Sequence, residues 1–128
     1  MNTEQTGVLG HSKCVSYCVR NGMTPFLPYP DTSPKQDLIS IDPKGKMLRF
    51  QVKSSKQRGP DGMWHFNTGS VVRTSRGVRT DALDASIVDY LFLSSPEFNL
   101  CIPTKKVKIP RQVKIGKKSK YLAFAVSC

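Results

Sequence analysis

The central segment of the chain is Asp37-Leu-Ile-Ser-Ile-Asp-Pro-Lys-Gly-Lys-Met-Leu-Arg-Phe-Gln-Val-Lys53. Its two apolar runs, residues 37–42 and 47–53, have the composition of β-strands. Between them, Pro43-Lys-Gly-Lys46 contains the glycine that is typical of a hairpin turn. We therefore predict two antiparallel strands joined by a short turn.

The register of this hairpin determines which side chains meet. Gln51 and Lys53 lie two residues apart on one strand and so point to the same face. A three-residue loop places Asp37 opposite Gln51, and a five-residue loop places it opposite Lys53. A four-residue loop pairs it with Val52 and turns it away, unless a bulge restores the register. The first two registers bring an acid, an amide and an amine together at one end of a sheet.

This combination of groups suits the hydrolysis of a phosphodiester. Mg²⁺ prefers oxygen ligands, and Asp37, the side-chain oxygen of Gln51 and the carbonyl of Val52 would supply three. Lys53 would orient the attacking water or stabilise the charge that develops on the phosphate. The alternative is a solvated strand face preceded by an ordinary turn aspartate.

The remaining sequence predicts an N-terminal helix followed by further strands. Apolar residues recur at helical spacing over residues 3–21, with Thr3 as a candidate cap and Asn21-Gly22 as the stop. The other predicted elements are an extended edge segment at 25–30, loops at 31–36, 56–62 and 67–80, and strands at 63–66, 87–93 and 99–103. A strand or a helix is expected at 121–127. This order predicts a single α/β (α+β) domain over residues 1–128.

The charge balance indicates a polyanionic partner. The 128 residues include 20 Lys and Arg against nine Asp and Glu, a formal net charge of +11. Residues 73–79 carry three arginines, and residues 98–128 carry eight basic side chains and no acid. We expect the first segment to contact bases and the second to contact phosphates. The residues predicted to bind nucleic acid are Arg58, Asn67, Thr68, Arg73, Arg76, Arg79, Lys105, Lys106, Lys108, Lys117 and Lys118.

Several classes of protein are disfavoured. No apolar run approaches the ~20 residues of a membrane-spanning helix, and the N-terminus lacks the basic-then-apolar order of a signal peptide. These features favour a cytoplasmic chain without a membrane partner. The four cysteines have no metal-ligand spacing and are expected to be reduced thiols.

Pro34-x-x-Asp37 followed by Gln51-Val-Lys53 resembles the PD-(D/E)XK nuclease signature in its Gln-x-Lys variant. The surrounding sequence is also similar to small intron-type homing endonucleases and to Holliday junction resolvase-like members. The resemblance implies a restriction-endonuclease-like core at about 3–105, with a central mixed sheet, an N-terminal helix and flanking helix or loops. It further implies a DNA-contacting insertion at about 56–82 and a basic C-terminal segment at 104–128.

The resemblance also implies an activity. The expected function is Mg²⁺-dependent, site-specific cleavage of double-stranded DNA, with Mn²⁺ as a substitute metal, by a homodimer or homotetramer. The alternatives are a structure-specific resolvase and a catalytically inactive DNA-binding module. The expected catalytic residues are Asp37, Gln51 and Lys53. The family's helix glutamate has two candidate replacements, Glu4 and His11; Glu4 is slightly favoured as a metal ligand, and which of the two completes the metal site is left open. A bacterial, phage-encoded or organellar compartment is in keeping with such an enzyme.

Overall fold

A computed structural model of the protein describes residues 1–28 and 36–128, apart from the side chains of residues 70–72. Among the described residues, one α-helix, α1, precedes nine strands, and a 3₁₀-helix follows them. The elements are α1 (Thr3–Arg20), β1 (Thr24–Phe26), β2 (Leu38–Ile41), β3 (Met47–Ser54), β4 (Trp64–Asn67), β5 (Ser70–Thr74), β6 (Gly77–Asp81), β7 (Tyr90–Ser94), β8 (Asn99–Pro103), β9 (Gln112–Ile115) and the 3₁₀-helix (Lys120–Phe124).

Helix α1 has a defined cap at each end. Its N-cap is Asn2 rather than the predicted Thr3, because the Asn2 side chain and Gln5 exchange hydrogen bonds in a capping box. The predicted stop is confirmed, since Asn21 is the C-cap and Gly22 follows with a φ of +74°. The helix therefore begins and ends close to the predicted residues.

The central sheet has five strands in the order β1-β2-β3-β7-β8. Strands β3 and β7 are parallel, whereas the other neighbouring pairs are antiparallel. The sheet is therefore mixed, as predicted, and β1 with its Pro25 lies at one edge. The hairpin between β2 and β3 closes with Gly45 at a φ of +86°, which only glycine adopts readily.

Each face of this sheet is covered by a different layer. Helix α1 packs against β1, β3 and β7, and the helix-side core consists of Cys14, Cys18, Leu38, Phe50, Val52, Phe92 and Cys101. The antiparallel pair of β4 and β9, together with the 3₁₀-helix, covers the opposite face. That second core includes Trp64, Phe66, Leu91, Leu93, Leu100, Ile102, Ile109, Val113, Ile115 and Tyr121.

The approach of α1 to β3 depends on one glycine. A Cβ atom at Gly10 would lie 2.0 Å from the Ser54 Oγ, a separation that no real side chain tolerates. The helix therefore crosses the C-terminal end of β3 at very close range. This crossing places the first turns of α1 beside the end of the strand that carries Gln51 and Lys53.

Two predicted elements need correction, and one open choice is resolved. The strand predicted from residue 87 begins at Tyr90, because the amides of Ile87 and Val88 bond the Asp84 carbonyl in a turn. The predicted loop at 67–80 contains the β5–β6 hairpin, a two-stranded ribbon whose residues pair from Ser70↔Asp81 to Thr74↔Gly77. The open choice at 121–127 is resolved by the 3₁₀-helix.

Two further expectations concern specific residues. All four cysteines are free thiols, and three of them are buried. The predicted loop at 31–36 lies outside the described residues except for Gln36. Within residues 1–28 and 36–128, no helix combines the length and apolar character needed to cross a bilayer.

Candidate active site

Asp37 lies directly before β2, at the point where the hairpin with β3 opens. The pair at this end of the ladder, Leu38↔Phe50, places Asp37 opposite Gln51, which is the register predicted for a three-residue loop. The Asp37 amide donates to the Phe50 carbonyl at 2.9 Å. Its carboxylate Oδ2 accepts the Val52 amide at 2.8 Å. One backbone and one side-chain hydrogen bond thus fix Asp37 against the strand, while its Oδ1 has no partner in the described part of the chain.

Gln51 and Lys53 lie on the face of β3 opposite α1. Their neighbours in the parallel register, Leu91 and Leu93, belong to the second core, whereas Val52 belongs to the helix-side core. Gln51 is only 7% exposed, yet its side-chain amide has no hydrogen-bond partner among the described residues. Lys53 is half-buried and forms no ion pair there. Both polar groups are consequently available to a ligand.

The two candidates on α1 occupy different surroundings. His11 lines a cavity of about 350 Å³ together with Val52, Lys53 and Lys56. Glu4 is exposed and lines grooves on the outer side of α1 with Val8 and Ser12. Of the two candidates, only His11 lines this cavity at the end of β3, and Asp37 and Gln51 do not line it.

The groups at this end of the sheet suit a hard cation by their chemistry. Asp37 Oδ1, the Gln51 amide oxygen and the Val52 carbonyl are all oxygen donors, which Mg²⁺ prefers. Across the described residues, no cluster of three or more His, Cys, Asp and Glu side chains has the arrangement of a metal site. The site thus offers one carboxylate, so a bound cation would keep several of its waters.

Lys56 is a member of the cavity that the sequence patterns do not single out. It follows Lys53 by three residues, beyond the end of β3, and lines the same cavity. The sequence feature that could have identified Lys56 is its position just after β3, the strand that carries the predicted catalytic residues Gln51 and Lys53. Lys56 adds a second ammonium group to the lining of this cavity.

Asp89, at the start of β7, has a structural role. Its carboxylate accepts the Arg49 amide at 2.8 Å, the Arg49 Nε at 2.9 Å and the Arg49 Nη2 at 3.0 Å. The guanidinium lowers the pKa of Asp89 to about 2. Asp89 therefore joins the start of β7 to β3, with Lys105 Nζ at 3.5 Å as a further cation.

The residues predicted to bind nucleic acid differ in their exposure to solvent. Most are exposed, namely Arg58, Asn67, Arg73, Arg76, Arg79, Lys105, Lys106, Lys108, Lys117 and Lys118. The prediction for Thr68 is wrong, because this residue is fully buried and its hydroxyl donates to the Pro110 carbonyl. Arg58 is exposed but paired with Glu97 and lies 6.0 Å from the centre of the Trp64 ring.

The β5–β6 ribbon separates its arginines. Arg73 pairs with Val78, whereas Arg79 pairs with Val72, so the two arginines belong to opposite faces of the ribbon. Arg79 is also held by Asp81, with 3.0 Å between Nε and Oδ1. Arg76 lies in the two-residue turn between Thr74 and Gly77. Among the described residues, Arg73 and Arg76 at the tip of the ribbon have no acidic partner.

The fold and this site together define a class of protein. A family model of the PD-(D/E)XK endonucleases matches residues 1–120, and the chain therefore belongs to this family. Members of the family are nucleases that generally use divalent metals.

One solved relative shows the extent of the structural similarity. The bacterial homing endonuclease I-Ssp6803I is similar with a TM-score of 0.80, over 98% of this chain and 89% of that chain. The sequences are 16% identical, so this likeness establishes the fold alone. No curated protein matches the sequence.

Proposed function

We propose that this nuclease is a site-specific endonuclease that cleaves double-stranded DNA with Mg²⁺, as homing endonucleases do. The observation that carries the proposal is the convergence of Asp37, Gln51 and Lys53 at one end of the central sheet. Asp37 is fixed by the Val52 amide, while the Gln51 amide and the Lys53 ammonium group have no partner in the described structure. Such unpaired polar groups are what a charged substrate and its metal need.

The roles of the residues follow from their chemistry. Asp37, Gln51 and the Val52 carbonyl would hold the divalent cation, with His11 or Glu4 as the further candidate. When bound, the cation would supply Lewis-acid polarisation of the phosphate. Lys53 would donate to a phosphate oxygen and stabilise the negative charge that grows there. The Val52 N–H keeps the Asp37 carboxylate in place throughout.

The surface supports DNA as the substrate. The net charge of +11 favours a polyanion. The ribbon is the candidate for base contacts, because two-stranded ribbons fit the major groove and arginine pairs with guanine there. One site cuts one strand, so cleavage of a duplex requires two copies of the chain. We propose a homodimer or homotetramer.

The test is a cleavage assay on random-sequence duplex libraries and on a mobile four-way junction, in Mg²⁺, Mn²⁺ or EDTA. We expect metal-dependent cutting of duplex at one sequence. Asp37→Asn and Lys53→Ala should each lower the rate at least about 100-fold. Asp42→Asn and Lys44→Ala are matched controls, since both positions lie at the turn end of the same hairpin.

Each outcome has a definite meaning. Cutting of the junction alone would replace site-specific cleavage by a resolvase activity. Binding to a selected duplex without cutting in any metal would indicate an inactive binding module. Cutting by Asp37→Asn at the rate of the unchanged protein would overturn the proposed site.

A further inference from the structure

The outer side of α1 is an unusual apolar surface. Eight large apolar side chains are exposed among the described residues, and six of them belong to α1 or to the segments that flank it at Met1 and around β1. They are Met1, Val8, Leu9, Val19, Phe26 and Leu27. We call this surface the α1 face. Contiguous exposed apolar patches of this kind mark interaction sites.

The α1 face has a ridge with a groove on each side. Val8 and Ser12 are one turn apart and border both grooves. One groove is also lined by Met1 and Leu9, and the other by Leu27. A ridge that lies between two grooves is complementary to a copy of itself, since each ridge enters the groove of the other helix.

The first turns of α1 lack the cations that a polyanionic partner would need, and Arg20, beside Val19 at the end of the helix, is an exposed exception. Residues 1–12 contain no Lys or Arg and one acid, Glu4, in a chain with a net charge of +11. Lys13 does not add to this face, because its Nζ donates to the Ser95 carbonyl at 3.2 Å. Two highly basic chains repel each other least where their cations are absent. The first turns of α1 form such a surface.

We infer that the α1 face binds a second copy of this chain, with α1 packed against the α1 of the partner about a two-fold axis. An isologous contact of this type uses the same patch on both subunits. An 18-residue helix is ~27 Å long, and a stable interface needs about 800 Å² from each partner. We therefore include Phe26 and Leu27, at the edge of the sheet, in the proposed interface together with α1.

Assembly through the α1 face also affects the candidate active site. His11 lines the groove beside Leu27 and also the cavity that contains Lys53. The partner helix therefore borders the cavity on its helix side. The assembly would contain two active sites, which is the number needed to cut both strands of a duplex. Assembly is measured without DNA, so a monomeric chain would overturn this inference and the proposed oligomer, whereas the cleavage assay tests the nuclease activity separately.

The test measures the particle mass by light scattering and sedimentation equilibrium at tens of micromolar protein. We expect the unchanged chain at twice 14.3 kDa or a higher even multiple. Val8→Glu should raise the dissociation constant at least about tenfold, because the two-fold axis introduces the charge twice. Val78→Glu is the matched control: Val78 is 65% exposed and Val8 67%, but Val78 lies on the ribbon.

A second variant separates assembly from folding. Leu27→Glu changes the same face from outside the helix, and it should weaken the assembly as Val8→Glu does. Circular dichroism establishes that each variant is folded. A monomeric unchanged chain, or variants Val8→Glu and Leu27→Glu that associate as tightly as Val78→Glu, would overturn the inference.

Discussion

Gln51 shows how function and stability compete at a single residue. Burying a side-chain amide costs free energy unless a hydrogen bond or water satisfies it. Gln51 is 7% exposed and lies beside Leu91 in the β3–β7 register. A leucine would fit this environment better. The position of Gln51 opposite Asp37 in the hairpin, on the same strand as Lys53, supports the proposed role of its amide as a ligand of the cation.

Gln51→Leu should separate these two effects. We expect cleavage to fall at least about tenfold, because the cation loses one oxygen donor. The free energy of unfolding should stay unchanged or rise by up to about 1 kcal/mol, because an apolar side chain replaces an amide beside the core residue Leu91. Urea denaturation and the cleavage assay measure the two quantities on the same sample. Gln57→Leu, in the exposed loop after β3, is the control, and a variant that loses stability and keeps its activity would contradict this role.

The contact between β3 and β7 is the element on which the site depends. These strands are parallel and distant in sequence, and they are joined at their start by Arg49 and Asp89. The Asp89 carboxylate receives three hydrogen bonds from Arg49. Since Gln51 and Lys53 follow Arg49 on the same strand, this ion pair helps to hold the site's strand in register.

Asp89→Asn should therefore change stability in a pH-dependent way. The pKa of Asp89 is about 2 in the folded chain and lies at its ordinary value, ~3.9, in the unfolded chain. A lowered pKa stabilises the fold fully above pH ~4 and loses this effect as the pH falls toward ~2. At about 1.4 kcal/mol for each unit by which the pKa is lowered, the pair contributes up to about 2–3 kcal/mol at neutral pH.

The measurement is urea unfolding of both proteins between pH ~7 and pH ~1.5, a range that extends below the pKa of Asp89 in the folded chain, about 2. The difference in the free energy of unfolding between the unchanged chain and Asp89→Asn should be largest at neutral pH and should disappear in acid. Asp61 and Glu97 also have lowered pKa values, but both proteins share them, so the difference isolates Asp89. A gap of constant size across this range would refute the assignment.

The sequence predicts local elements better than it predicts their partners. The helix, the β2–β3 hairpin and β8 are predictable because their signals lie within short segments: a cap, a turn glycine and apolar runs. The ribbon escapes prediction because Ser, Thr, Gly and Arg dominate it, so it has no apolar alternation. The Arg49–Asp89 pair joins residues 40 positions apart, and the burial of Thr68 depends on Pro110. Such contacts are set by tertiary structure, which local patterns do not contain.

The candidate site is predictable to a similar degree. The sequence is compatible with three registers of the hairpin. The structure adopts the one that places Asp37 opposite Gln51, and in it the Val52 amide donates to the Asp37 carboxylate. The side of the sheet that α1 covers does not follow from local patterns. For that reason Glu4 and His11 are both candidates in sequence, whereas only His11 lines the cavity with Lys53.

The charge of the whole molecule determines how DNA binding should respond to salt. Each cation that neutralises a phosphate makes the slope of log K against log salt more negative by about 0.9. Base contacts instead raise the ratio of specific to non-specific affinity. Exposed lysines of the C-terminal segment, such as Lys117 and Lys118, and the ribbon arginines Arg73 and Arg76 should therefore have different effects.

Paired substitutions distinguish these effects on the catalytically inactive Asp37→Asn background. Replacing Lys117 and Lys118 by alanine should make the slope shallower by about 1.8 and weaken all duplexes equally. Replacing Arg73 and Arg76 should instead lower the preference for the selected duplex by about 1–3 kcal/mol for each base that is no longer recognised. Fluorescence anisotropy from low to high salt, on selected and scrambled duplexes, measures both quantities. If the ribbon variant weakened both duplexes equally, the arginines would contact phosphates, and specificity would have to come from another part of the surface.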